Sequence, residues 1–344
     1  MTGMPLPVGA PAEGAPTVAL ATMPGASPEL MDRLTSGLQS VEARIRAEVD
    51  HEDPFIAGAS AHLLSAGKRF RPILTLLAAE LGGGFSRDVE TAAAAVELTH
   101  LASLYHDDVM DEAEMRRAVV SANAAYGNST AILVGDLLFG TASKMIAELG
   151  PLGVRIQAET FVRLCSGQIR DDRACPEGTD PVDYYLGVLE DKTGVLIATA
   201  ARYGAMFSGA GEEAERILEA YGEKLGVAFQ LADDLLDITS DDSGKEPGTD
   251  LREGVDTLPV LYVKASTDPA DARLQELLSP DAVVDLDAWY ANLGLLRTHP
   301  ALDRAQAYTR QVAEEAQRVL DPLGDGEAVR ALRALAASVV DREV

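Results

Sequence analysis

The stretch DVETAAAAVELTHLASLYHDD, residues 88–108, decides the fold class. It runs for about twenty residues with neither Gly nor Pro, and its Ala, Leu and Glu are strong helix formers. It is too long for an ordinary strand, and β-branched residues do not alternate through it. The same texture extends outward in both directions. Upstream, Ser27-Pro28-Glu29 has the form of a helix start: Ser caps, Pro suits the first helical position, and Glu favours the positive end of the dipole. Downstream, residues 131–149 carry apolar side chains at helical spacing, Asp180-Pro181-Val182-Asp183 opens another helix, and residues 214–238 form a further long one. Gly209-Ala210-Gly211 and residues 241–254 interrupt the pattern. No composition shift and no repeat divides the chain from residue 27 to Val344. The expectation is therefore all-α: a single large helical bundle over residues 27–344 with a central active-site cavity between facing helices. Residues 1–26 hold five prolines, four glycines and no Lys or Arg, which predicts a disordered tail with little to bury.

The chain has 344 residues and a formal net charge of −26, which disfavours nucleic acid and a polybasic membrane anchor as partners. Apolar residues make up 47%, enough to exclude an acidic disordered polymer. Cys165 and Cys175 cannot form a disulfide framework and have no zinc-ligand spacing, as expected of ordinary thiols in a reducing cytoplasm. No signal sequence and no charge-free apolar run of membrane-spanning length is legible, so no transmembrane segment is expected.

Within this acidic background the chemistry-bearing residues cluster. Asp107-Asp108-Val109-Met110-Asp111 closes the long helix, and at i, i+4 spacing Asp107 and Asp111 share a face, with Asp108 beside them. Asp233-Asp234-Leu235-Leu236-Asp237 repeats the spacing near the end of the second long helix. Both motifs follow apolar segments, and crowded, partly buried carboxylates repel one another unless a cation binds. Hard oxygen donors at this density suit Mg2+, which takes its remaining ligands from water and substrate phosphates. The scarce cations gather too: Lys68, Arg69 and Arg71 fall within four residues, Arg116-Arg117 follows the first motif, and Lys192 and Lys245 lie at helix ends or loops. Arg forks and Lys point charges are suited to a diphosphate. His100 lies two helical turns before Asp107, on the same face. Metal ions bridging carboxylates to a diphosphate, above an apolar helix surface, would stabilise a diphosphate leaving group.

The chain resembles the trans-isoprenyl diphosphate synthases (polyprenyl synthetase family) over about residues 30–344. The resemblance rests on GKRFRP at 67–72, LYHDDVMDEAEMRR at 104–117, GNSTAILVGDLL at 127–138, Lys192-Thr193, FQLADDLLD at 229–237, and GKEPGTDLREG with TLP over 244–259. It implies an isoprenoid synthase-like helical bundle, a homodimer, and an Mg2+-dependent prenyltransferase with three ions per site when substrate is bound. The reaction it implies is head-to-tail condensation of isopentenyl diphosphate with an allylic diphosphate. Lys68, Arg71, His100 and Arg117 match positions that hold the isopentenyl diphosphate. Arg116, Lys192 and Lys245 match positions that hold the allylic diphosphate. Asp107, Asp111 and Asp233 match metal ligands, with Asp108, Asp234 and Asp237 completing the two candidate sets, and Thr193 and Gln230 match residues beside the developing carbocation. The chain departs from the family pattern at Ala118, Thr249 and Val255, outside the ligand positions.

In such enzymes the product grows along the helix of the first motif, towards its N-terminus. Ala102 and Ser103, then Thr99, then Ala95 and Val96 line that face, with Ala102 about 7–8 Å below Asp107. Small residues there leave a tunnel open and predict a product of thirty carbons or longer. The alternative is that a neighbouring helix, such as 131–147, supplies the floor and the product is a fifteen- or twenty-carbon diphosphate. A terpene cyclase is disfavoured by the second aspartate motif and the GKRFRP segment. A non-catalytic regulatory subunit would be expected to lose aspartates that this chain keeps, and a purely structural helical protein leaves the basic clusters unexplained.

Overall fold

The computed structural model describes residues 26–64, 67–116, 119–239, 248–279 and 286–340. The proposed tail therefore lies outside the described residues, apart from Ala26, as do Arg117 and Lys245. The helices run in chain order as α1 (Pro28–Val49), α2 (Pro54–Ala61), α3 (Phe70–Ala79), α4 (Arg87–Met110), α5 (Ala122–Tyr126), α6 (Asn128–Ala147), α7 (Pro151–Asp171), α8 (Pro181–Leu189) and α9 (Val195–Ser208). They continue as α10 (Glu212–Thr239), α11 (Thr249–Arg252), α12 (Leu258–Lys264), α13 (Ala272–Leu277), α14 (Leu286–Arg297), α15 (Pro300–Val319) and α16 (Glu327–Val340).

The helix ends follow from local chemistry. Ser27 Oγ accepts the Leu30 N–H at 3.1 Å with Pro28 at the first helical position, and Ser86 Oγ accepts from Val89 at the start of α4. Asp180 caps α8 by accepting from Val182 and Asp183. The expected boundaries hold within two residues for α8 and α10, while α6 begins three residues earlier than the apolar spacing indicated.

The bundle is layered around helices that are apolar nearly all round. Ten of the fourteen residues of α9 are buried, from Val195 to Ala205, and α4 is buried without a break from Thr91 to Thr99. A helix with no solvated face belongs inside a protein. α9 packs against α3, α4, α7 and α10, and these in turn are covered by α1, α6, α15 and α16. Small residues let the backbones approach: a Cβ added at Gly222 would lie 2.5 Å from the Ala198 Cα, and one at Gly226 would lie 2.5 Å from the Gly194 Cα. Buried tyrosines tie the layers together where their hydroxyls find carbonyls. Tyr105 donates to Ala59 at 2.6 Å, Tyr203 to Gly153 at 2.8 Å, and Tyr221 to Leu332 at 2.7 Å.

Two features depart from the expectation. A short antiparallel ribbon, β1 (Met115–Arg116) and β2 (Val119–Val120), follows α4, with Met115 opposite Val120 and Arg116 opposite Val119. The chain must reverse after the left-handed turn at Glu112 (φ 49°), and the β-branched Val119 and Val120 favour extended backbone on the return. The second is α6, which by length and composition is apolar enough to cross a membrane, with a mean hydropathy of 1.4. The criterion of an unbroken charge-free run did not register it because Asp136 and Lys144 interrupt the sequence. Its Val134, Leu138, Met145 and Ile146 are buried against the bundle, while Ile132, Leu133 and Leu137 are exposed.

Candidate active site

The first aspartate motif sits where α4 ends. Asp111 is the C-cap residue and largely exposed, and its N–H donates to the Asp107 carbonyl at 2.8 Å. Asp107 is half-buried, and burial pushes its carboxyl up to about 6, with the neighbouring Asp111 and Asp108 adding to the rise and Lys192 and Arg116 opposing it. Asp108 differs from both. It is fully buried, its Oδ1 lies 2.5 Å from Arg116 Nε, and its Oδ2 accepts the Ala122 N–H at 3.4 Å. The ribbon after α4 folds Arg116 back over the motif, where it also reaches Asp111 at 3.5 Å.

Lys192 and Thr193 belong to a five-residue π-helical turn, Glu190–Gly194, that joins α8 to α9. Such turns bulge a helix and are frequent at functional sites. α7 braces this one closely, since a Cβ at Gly167 would lie 2.6 Å from the Lys192 nitrogen. Arg163 on α7 also holds Asp191 at 2.8 Å and Glu223 at 2.8 Å, and Arg170 pairs with Asp191 as well. Lys192 Nζ donates to Asp171 at 2.6 Å. Burial alone would lower the ammonium pKa, but Asp171, Asp107 and Asp111 outweigh it and hold Lys192 above the ordinary lysine range. Lys192 thus stays bonded to Asp171 within the field of the first motif's carboxylates.

From the other side of the same turn a hydrogen-bonded chain reaches the second motif. Thr193 Oγ1 donates to Gln230 Oε1 at 3.3 Å, and Gln230 Nε2 donates to Asp234 Oδ1 at 2.9 Å. Tyr185 on α8 donates its hydroxyl to Asp234 Oδ2. Asp234 is buried, which pushes its carboxyl up to about 6 despite those two donors, and Tyr185 is driven well above its ordinary value by burial and by Asp234. Asp233 is half-buried. Asp237 accepts the Thr249 and Asp250 N–H groups at 3.1 Å each, and its carbonyl accepts from Gly248, which pins the start of α11 to the end of α10. The structure therefore joins Thr193 and Gln230 by hydrogen bonds to Asp234 of the second motif, while Lys192 is bonded to Asp171 and lies in the field of Asp107 and Asp111, and Asp108 and Asp234 are spent on inward contacts.

The basic segment before α3 divides in the same way. Lys68 is exposed and Arg71 half-buried, but Arg69 turns inward and is buried against Glu97 and Glu42. His100 is half-buried on α4, one turn beyond Glu97. Among the described residues no three His, Cys, Asp or Glu side chains converge into a ready-made metal group. The donor chemistry nevertheless fits a hard divalent cation: Asp107 is partly desolvated and crowded by carboxylates, and a bound cation would relieve both penalties.

A family model for polyprenyl synthetase matches residues 53–293. The chain belongs to the polyprenyl synthetase family. As a member it is a prenyltransferase, in line with the motifs. The nonaprenyl diphosphate synthase of Mycobacterium tuberculosis is 46% identical over 311 residues, 89% of this chain and 92% of that protein. The geranylgeranyl pyrophosphate synthase of Corynebacterium glutamicum, crystallised with calcium and isoprenyl diphosphate, superposes with a TM-score of 0.83. It is 42% identical, covering 92% of this chain and 98% of that one. A decaprenyl diphosphate synthase from Rhodobacter capsulatus superposes with a TM-score of 0.84 at 32% identity, covering 91% and 98%.

The small-residue face of α4 is largely packed against its neighbours. Ala102 and Ala95 are fully buried, and Ser103 is half-buried with its hydroxyl on the His100 carbonyl. Thr99 is buried and accepts a hydrogen bond from Gln157 Nε2 of α7 at 2.7 Å. One turn further along α7, Thr160 pairs with Thr199 of α9 at 2.6 Å. Gln157, Thr160, Arg163 and Tyr185 escaped sequence reasoning. They lie on helices without motifs, and the one legible hint was the Asp180-Pro181 start that places Tyr185 in the first turns of α8.

Proposed function

We propose that this prenyltransferase condenses isopentenyl diphosphate with an allylic diphosphate in an Mg2+-dependent, head-to-tail reaction, giving an all-trans polyprenyl diphosphate of thirty carbons or longer. The observation that carries the reading is the π-helical turn, from which Thr193 reaches the second motif through Gln230 while the neighbouring Lys192, bonded to Asp171, sits in the field of Asp107 and Asp111. Bound Mg2+ supplies charge neutralisation of the departing diphosphate. Asp107, Asp111 and Asp233 would hold the ions, while Asp108, Asp234 and Asp237 fix the backbone and side chains around them. Lys192 and Arg116, with Lys245, bind the allylic diphosphate. Lys68, Arg71 and His100, with Arg117, bind the other diphosphate. The Thr193 hydroxyl and Gln230 amide oxygen face the carbocation as it develops, where oriented dipoles act without reorganisation.

One observation favours a shorter product. The Gln157–Thr99 bond crosses the α4 face eight residues before Asp107, a rise of about 12 Å. A fifteen- or twenty-carbon product is therefore the second reading. The apolar face of α6 and α7, with Leu133 at 66%, Val162 at 64% and Ile169 at 60% exposure, supports a homodimer formed through these helices. The site of action on this reading is the cytoplasm.

The test is purified protein with Mg2+, labelled isopentenyl diphosphate and each allylic primer in turn, with products separated by chain length. Products of thirty carbons or more are expected, with loss of turnover in EDTA. A product stopping at fifteen or twenty carbons rejects the long-chain assignment. No Mg2+-dependent diphosphate release with any primer rejects the catalytic reading in favour of a regulatory subunit.

A further inference from the structure

We infer that Arg69 is a positioning residue that sets Lys68, Arg71 and His100 into one diphosphate cradle; the inference rests on the role proposed above for those three. Arg69 adopts a left-handed backbone (φ 51°, ψ 36°), one of two non-glycine residues among those described with positive φ. A side chain makes that conformation unfavourable, so it persists where the surroundings over-determine it. Here they do. The Arg69 side chain is 5% exposed and lies between two acids from different helices. Its Nη1 is 3.1 Å from Glu97 Oε1 of α4, and its Nε is 3.4 Å from Glu42 Oε1 of α1. Its Nη2 donates to the Leu64 carbonyl, just beyond α2. Glu97 is 2% exposed at its side chain, so this contact is shielded from solvent and from salt.

The geometry has a directional consequence. Gly67 at φ 125° and Arg69 at φ 51° flank Lys68, so the backbone reverses on both sides of it. Arg69 goes into the core and Lys68 goes out to solvent. Arg71 follows in the first turn of α3, and Glu97 sits one helical turn before His100 on α4. The Arg69–Glu97 pair is therefore a direct strut between the segment bearing Lys68 and Arg71 and the helix bearing His100. A guanidinium suits the task because its forked donors can serve two carboxylates and a carbonyl at once, which a lysine cannot reproduce. Removing it takes the Arg69 cation from the buried Glu97 carboxylate, while Glu42 keeps Arg46 at 3.2 Å, and the loop has to move to rehydrate Glu97.

The experiment is steady-state kinetics on wild type, Lys68→Ala, Arg69→Met and Glu97→Gln, each checked for native helicity and thermal midpoint. Arg69→Met is expected to raise KM for isopentenyl diphosphate tenfold or more while KM for the allylic substrate stays within twofold. Glu97→Gln, which keeps its shape, is expected to shift the same KM in the same direction by a smaller factor. Should Arg69→Met not fold, Glu97→Gln decides alone. A folded variant whose isopentenyl KM is unchanged while Lys68→Ala raises it overturns the inference but leaves the cradle standing. Parallel rises in both KM values with a fall in kcat mark Arg69 as merely structural and overturn it too. If Lys68→Ala itself leaves the isopentenyl KM unchanged, the cradle and the inference fall together.

Discussion

Gly167→Ala separates the stability of this fold from the placement of Lys192, the lysine proposed for the active site. The added methyl would lie 2.6 Å from the Lys192 nitrogen, 2.8 Å from the Asp191 carbonyl carbon and 3.0 Å from the Asp191 Cβ. Two of these are backbone atoms, which cannot swing aside. To reach ordinary contact at 3.4 Å, the π-helical turn must retreat from α7 by about 0.8 Å. Overpacking of this kind costs about 1–3 kcal/mol. The substitution also gains about 1 kcal/mol, because Ala is a better helix residue than Gly. The net loss is then at most about 2 kcal/mol, a shift of a few degrees in thermal midpoint for a chain of this length. Activity should respond far more strongly. Lys192 is held by Asp171 at 2.6 Å and is proposed above to bind the allylic diphosphate, and a displacement near 1 Å at a reacting centre costs on the order of 100-fold. The expected result is a fall in kcat of about 10- to 100-fold with a folded protein. Thermal unfolding followed by circular dichroism, beside kcat at saturating substrates, measures both. Gly204→Ala is the control, since its methyl would overlap the Thr75 carbonyl in the α3–α9 core and should cost stability first. Turnover within twofold of wild type in Gly167→Ala would refute the placement of Lys192, and so would a loss explained by the unfolded fraction.

Other substitutions probe the remaining contacts. Tyr185→Phe removes a donor from the buried Asp234 and should lower stability by about 1–3 kcal/mol, read from urea unfolding. Ala102→Phe should shorten the product sharply, and an unchanged chain length on reversed-phase chromatography would reject the α4 face as the tunnel wall. Gln157→Ala, which opens the crossing over Thr99, should lengthen the product in the same assay if that bond limits growth. Leu133→Asp places a charge on the exposed α6 face and should convert the proposed dimer to monomers in sedimentation, with little change in helicity.

Much of the helical framework was legible because helix ends are decided locally. Ser27, Ser86 and Asp180 cap with their own side chains, and the gaps at Gly209 to Gly211 fall where the spacing stops. The site was legible as a set of residues and less so as a set of directions. The i, i+4 rule put Asp107 and Asp111 on one face, yet α4 ends at Met110, and the ribbon beyond it brings Arg116 back to bury Asp108. Counting cations in the 67–72 segment grouped Arg69 with Lys68 and Arg71, but a left-handed residue sends its side chain the opposite way. Gln157, Arg163 and Tyr185 act across helices, where no short-range pattern marks them.

The π-helical turn between α8 and α9 carries a further implication, in terms of helix phase. Residues 181–208 are continuous helix except for the wider turn at Glu190–Gly194. A helical residue advances the azimuth by about 100°, so one residue accommodated in a wide turn offsets everything after it by about that angle. One rod can then hold Tyr185 on the second motif with its first half while its second half keeps ten core residues facing inward. Deleting a single residue within 190–194 would let the rod close into regular α-helix. Either Tyr185 would rotate off Asp234 or the buried surface of α9 would rotate towards water, and no adjustment of side chains could satisfy both.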